Sequence, residues 1–125
     1  MKTALLVIDV QGRLLPAIAS ADKLLENCLL LMTAATSLGI PRIATEQNPQ
    51  GLGPTVPELK PFIERLFLKT HFDACCETGF LEAIAPIDRF VVAGSEAHVC
   101  VLQTVLGLCR PHKAIAIVAD AIGSR

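Results

Sequence analysis

The run Thr3–Val10, Thr-Ala-Leu-Leu-Val-Ile-Asp-Val, most constrains the fold. It has the length of a strand and is apolar at nearly every position rather than at alternate ones. A strand with one wet face would alternate, whereas a near-continuous run suits a parallel strand covered on both faces. Phe90–Ala93 repeats the pattern, and Gly94 punctuates it. Between these runs, Asp22–Leu38 reads as a helix, with Leu24, Cys28, Leu31, Ala35 and Leu38 on one stripe. Asp22 or Ser20 can cap its start, and Gly39 with Pro41 closes its end. Ile40–Thr45 is a second short strand, so the first pieces form a strand–helix–strand unit with an expected right-handed crossover. A third strand is centred on Arg65–Leu68, a short helix covers Gly79–Ala85, and a longer one runs Val99–Cys109. A last strand, Ala114–Ala119, ends in Asp120. The expected architecture is α/β: one three-layer αβα, Rossmann-like domain over residues 1–125, with a mainly parallel sheet.

Composition narrows the function classes. The chain is 52% apolar and carries a net charge of −1, which fits a globular domain rather than a disordered one. That charge gives no electrostatic footprint for nucleic acid or an anionic membrane, and the lack of Trp and Tyr weakens any case for base stacking. No apolar run reaches membrane-spanning length, and Asp9 interrupts the N-terminal run where a signal peptide would continue. A cytoplasmic setting is expected, in which the five cysteines stay free thiols.

In an open parallel sheet, ligands bind beyond the carboxyl ends of the strands. Three chemically capable residues fall there. Asp9 ends the first strand and Lys69 the third, while Cys100 lies in the first turn of the helix after the Phe90 strand. Free backbone N–H groups and the helix dipole favour a thiolate at such a position and can receive an oxyanion. Taken singly, each residue has a plainer reading: a turn aspartate, a solvated lysine, a small buried hydrophobe. Their convergence on one sheet edge favours a site, with Cys100 as nucleophile, Asp9 as proton acceptor and donor, and Lys69 as fixed positive charge. The Gly- and Pro-rich loop Glu46–Pro61 starts at the same edge and is expected to form a pocket wall or lid. Its residues Gln47 and Asn48, with Gln11 beside Asp9, suggest polar recognition of a small-molecule substrate. Gly51 and Gly53 do not make a dinucleotide fingerprint. No cofactor is implied. Neither His71, Asp73, Cys75 and Cys76 nor Cys100, Cys109 and His112 has a zinc-like spacing, so no metal is expected.

The segments Leu6-Val7-Ile8-Asp9-Val10-Gln11, Lys69-Thr70-His71-Phe72 and Gly94-Ser95-Glu96-Ala97-His98-Val99-Cys100-Val101 together resemble the isochorismatase-like cysteine hydrolases. Thr45–Leu59 looks especially like the isochorismatase-domain-containing subgroup. The resemblance implies a catalytic triad of Asp9, Lys69 and Cys100. It also implies a cis peptide between Ser95 and Glu96, and an oxyanion hole from the backbone N–H groups of Glu96 and Cys100. The implied reaction is amidase-type hydrolysis through a Cys thioester, since relatives that cleave isochorismate lack the cysteine. The nicotinamidases of this superfamily bind a metal through an Asp and two His; Glu46–Pro61 has no His, which argues against nicotinamide. Homo-oligomerisation is expected from the resemblance and from the helix Val99–Cys109, apolar nearly all round and expected to be buried on more than one side. The family continues past Asp120-Ala121 with a helix and a strand: a sheet edge or face is expected to be exposed if Arg125 ends the molecule, and covered by the remaining part if the chain is a fragment. Two readings from other classes remain at this stage. One is a non-catalytic assembly or binding protein of the same fold; the other is a redox-responsive thiol protein using Cys100 or the Cys75/Cys76 pair.

Overall fold

The computed structural model describes Met1–Arg125. Its centre is a fully parallel five-stranded sheet in the order β3-β2-β1-β4-β5. The strands are β1 (Thr3–Ile8), β2 (Arg42–Gln47), β3 (Arg65–Lys69), β4 (Arg89–Ser95) and β5 (Ala114–Gly123). The helices are α1 (Ala21–Ser37), the single turns α2 (Pro49–Leu52) and α3 (Phe80–Ala83), and α4 (Leu102–Cys109).

The apolar run of β1 divides between two cores because successive side chains point to opposite faces. Leu5 and Val7 pack with Leu24, Cys28, Met32 and Ala35 of α1. Ala4, Leu6 and Ile8 pack with Phe80, Ile84, Val101 and Leu108 from the α3 and α4 side. The three-layer αβα arrangement follows, with β1 and β4 at its middle. The register pairs Ile8 with Thr45 on one side and with Gly94 on the other.

Three expectations are corrected. Ser20 precedes α1 in a left-handed conformation (φ 54°) and makes no side-chain cap, and Asp22 falls inside the first turn, so neither residue caps the helix as expected. The helix expected over Val99–Cys109 is two pieces: a wide turn over Ala97–Val101, in which the Val101 N–H reaches the Glu96 carbonyl at 3.1 Å, and then α4. Finally, α4 is buried on one side only. Thr104, Gly107 and Leu108 face inward, while Leu102 and Leu106 are 45% and 52% exposed. The close approach that decides this face is at Gly107, whose missing Cβ leaves room for the Asp73 carboxylate.

Gly94 is where the fold tolerates no side chain. Its φ is +133°, and a Cβ there would lie 2.1 Å from the Ile8 carbonyl oxygen. The backbones of β1 and β4 therefore touch immediately before Asp9 and Ser95. Because the clash is with backbone in a central strand, Gly94→Ala is expected to destabilise the domain by about 3 kcal/mol or more. Urea unfolding checks this, and an unchanged midpoint would contradict it.

Candidate active site

Three of the four strands that meet at the site, β1, β2 and β4, end in a sharp left-handed residue. Asp9 follows β1 with φ 55°, Asn48 follows β2 with φ 38°, and Glu96 follows β4 with φ 62°. Such conformations are uncommon for residues with a Cβ and concentrate at functional sites. Composition gave no signal for this clustering; the polar residue at each strand end was the only hint. The structure has no cis peptide bond, so the cis bond expected between Ser95 and Glu96 is corrected. The chain reverses there through the left-handed Glu96 instead, and the backbone N–H of Glu96 makes no hydrogen bond within the chain.

Asp9 and Lys69 are brought together across β2, and both side chains are fully buried. Lys69 Nζ donates to Asp9 Oδ2 at 2.8 Å and to Gln47 Oε1 at 2.6 Å, with the carbonyls of His71 and Phe72 at 3.3 Å. Asp9 Oδ1 accepts the Thr45 hydroxyl at 2.7 Å, and the Asp9 carbonyl accepts the Ser95 hydroxyl at 2.6 Å. All four partners are oxygen acceptors, so Lys69 Nζ is the donor in every contact it makes. Thr45 and Ser95, neither singled out from the sequence, orient the Asp9 carboxylate and fix its backbone.

Cys100 is buried and lines the same cleft as Asp9, and the charges of Asp9 and Lys69 both act on its thiol. The sequence pointed to a stabilised thiolate. The structure points the other way. Burial raises the Cys100 thiol, the Asp9 charge and hydrogen bond raise it further, and the opposing pull of Lys69 does not compensate, so it is pushed up to about 12. At neutral pH the resting group is a thiol beside a carboxylate. Cys28 and Cys75 are also pushed up to about 12, chiefly by burial, and neither adjoins a lysine–aspartate pair.

These groups lie along a cleft of about 270 Å³ lined by Asp9, Cys100, Gln47 and Glu96 together with Leu14, Leu52, Phe72, Val99 and Arg125. The expected pocket wall is realised: Leu52 sits on the loop after β2, which is tied down at several points. Glu46 is buried and accepts both the N–H and the hydroxyl of Thr55, at 2.7 and 2.8 Å. Gln11 donates to the carbonyls of Gly53 at 2.7 Å and Gln47 at 3.0 Å, and accepts the Gln47 N–H at 2.8 Å. Gln11 is therefore spent on the loop and does not line the cleft, which corrects its expected role in recognition. Asn48 does not line this cleft either: it lines a second depression, with Gln50, Thr70 and Glu77, on the other side of Lys69. Gln47 does reach the cleft. At the far wall, the Glu96 carboxylate accepts from the Arg125 backbone N–H at 3.2 Å and from its guanidinium at 3.0 and 3.2 Å. Nearby, His98 Nδ1 meets the Ser124 hydroxyl at 2.8 Å.

Two outcomes follow. Alkylation of Cys100 by iodoacetamide should keep rising through pH 9–10 rather than level off near the ordinary thiol value of about 8.5, and Asp9→Asn should accelerate it by removing the nearby negative charge. Mass spectrometry of pH-dependent labelling checks both. Lys69→Met should cost about 3–5 kcal/mol in urea unfolding, because it strands the buried Asp9 carboxylate.

Comparison with known proteins agrees with this geometry. A family model for the isochorismatase domain matches residues 3–125. Isochorismatase domain-containing protein 2 of Danio rerio is 35% identical over 98% of this chain, and the chain spans 64% of that relative's length. Among solved structures, one described as the MAR1 ribonuclease of Caenorhabditis elegans superposes with a TM-score of 0.92 at 36% identity, covering 98% of this chain and 65% of that one. The YcaC protein of Escherichia coli, described as an octameric hydrolase of unknown specificity, gives a TM-score of 0.90 at 27% identity over 98% of this chain and 64% of that one. The chain belongs to the isochorismatase domain family.

Proposed function

We propose that the chain is a cysteine hydrolase that cleaves a small amide, or a related carbonyl compound, through a thioester on Cys100. The observation that carries the reading is the buried Asp9–Lys69 ion pair beside a thiol that shares its cleft wall with Asp9. Asp9 takes the thiol proton as sulfur attacks the carbonyl carbon, so no free thiolate is needed beforehand. The developing oxyanion is received by backbone N–H groups at the start of the Ala97–Val101 turn, those of Glu96 and Cys100; the unpaired N–H of Glu96 supports this. The carbon–nitrogen bond then breaks, and the proton on Asp9 passes to the departing amine. Water attacks the thioester, Asp9 takes one of its protons, and the sulfur leaves and regains that proton. Lys69 stays charged throughout and holds Asp9 in place.

The modest cleft volume and its apolar side chains Leu14, Leu52, Phe72 and Val99 favour a small, largely uncharged substrate. A ribonuclease role, as in the name of the Caenorhabditis elegans protein, gains no support from a net charge of −1. No helix is long and apolar enough to cross a membrane, and a cytoplasmic setting suits five free cysteines. Homo-oligomerisation is part of the same reading: the exposed Leu102 and Leu106 of α4 and the octameric Escherichia coli relative favour it.

A panel of small primary amides, read by ammonia release, tests the proposal. Cys100→Ala should abolish turnover, and Asp9→Asn should lower kcat/KM about 10²–10⁴-fold even though it makes the thiol easier to ionise. Turnover retained in Cys100→Ala would overturn the reading.

A further inference from the structure

Each hydrogen-bonding group of Gln47, main-chain and side-chain, already has a partner within the chain, and only one amide proton is left free. It is the last residue of β2, the strand between the two that deliver Asp9 and Lys69. Gln11 grips its main chain on both sides, through the N–H at 2.8 Å and the carbonyl at 3.0 Å. Its side-chain nitrogen donates to the Thr70 carbonyl at 3.1 Å, which turns its oxygen toward Lys69 Nζ at 2.6 Å.

An ammonium has three protons, and Lys69 offers them to four oxygens. The bonds to Asp9 and Gln47 are short, at 2.8 and 2.6 Å, whereas the carbonyls of His71 and Phe72 stand back at 3.3 Å. Two short bonds fix the direction of the third proton. Without the Gln47 oxygen the ammonium would have only Asp9 as a close partner and would be free to swing toward the carbonyls. Asp9 and Cys100 would then lose the fixed charge that faces both.

We propose that Gln47 is a positioning residue: its amide oxygen pins the Lys69 ammonium against Asp9 and beside the Cys100 sulfur, and substrate recognition falls to other walls of the cleft. The proposal deepens the hydrolase reading and rests on it for turnover, but the arrangement it describes exists without substrate.

The experiment therefore has two arms. In the first, Cys100 alkylation by iodoacetamide is followed at pH 9 with no substrate in wild type, Gln47→Met and Leu30→Ala, with the thermal transition recorded for each. Gln47→Met keeps the length and removes the acceptor, so the displaced ammonium should slow Cys100 labelling at least about 3-fold, while Leu30→Ala, at an exposed position of α1 away from the cleft, should not slow it. Should Gln47→Met fail to fold, Gln47→Ser is measured instead, with the same expectation. In the second arm, on whichever amide wild type hydrolyses, a positioning role lowers kcat at least about 10-fold with KM within about 2-fold, and Gln47→Glu, which restores an oxygen facing Lys69, recovers part of the loss. A recognition role does the reverse, raising KM and sparing kcat. Unchanged labelling in a folded Gln47 variant overturns the proposal whatever the amide assay gives. Slowed labelling with no hydrolysis of any amide keeps Gln47 as the residue that positions Lys69 and removes the hydrolase reading instead.

Discussion

A lysine and an aspartate taken wholly out of water hold this end of the sheet together. Desolvating two charges costs several kcal/mol for each, and their mutual attraction repays that only when the remaining lone pairs and protons are satisfied. Here they are satisfied: the Thr45 hydroxyl on Asp9, the Gln47 amide and two carbonyls on Lys69. The two charges come from strands that are not neighbours, so β2 has to supply the groups between them. That requirement explains why Thr45 and Gln47 alternate along the last residues of β2, with Glu46 between them turned to the loop at Thr55.

The same pair decides the chemistry of Cys100. A free carboxylate beside a buried thiol would keep it protonated, and a free ammonium would ionise it. Together with burial, the joined pair leaves the thiol neutral at rest. In the proposed reaction the nucleophile forms only as its proton moves to Asp9. A resting thiol is also less open to adventitious oxidation than a thiolate, which tells against Cys100 as a redox sensor.

Much of the fold was legible in the sequence, for a simple reason. The runs Thr3–Val10 and Phe90–Ala93 are apolar on both faces because both faces are buried, and the parallel three-layer sheet follows. Asp9, Lys69 and Cys100 were legible because strand ends are where such sheets bind ligands. What the sequence hid depends on distance and direction. The raised thiol of Cys100 comes from burial and from Asp9, 91 positions away in the chain but adjacent in space. Gln11 and Asn48 have the composition of pocket residues, yet the first is consumed in holding the loop and the second turns to another face. The outer side of α4 has an apolar pattern indistinguishable from a buried one, and only its neighbours show that Leu102 and Leu106 face outward.

The central claim is that Cys100 forms a covalent bond with a substrate carbonyl, with Asp9 serving as its base. Intact-mass spectrometry of a rapidly acid-quenched mixture of protein and a hydrolysed amide tests it most directly. The account predicts an adduct equal to the acyl fragment, localised to Cys100 by peptide mapping and absent from Asp9→Asn quenched at the same time. Steady hydrolysis with no adduct at any quench time, or an adduct confined to Cys75, Cys76 or Cys109, would contradict it.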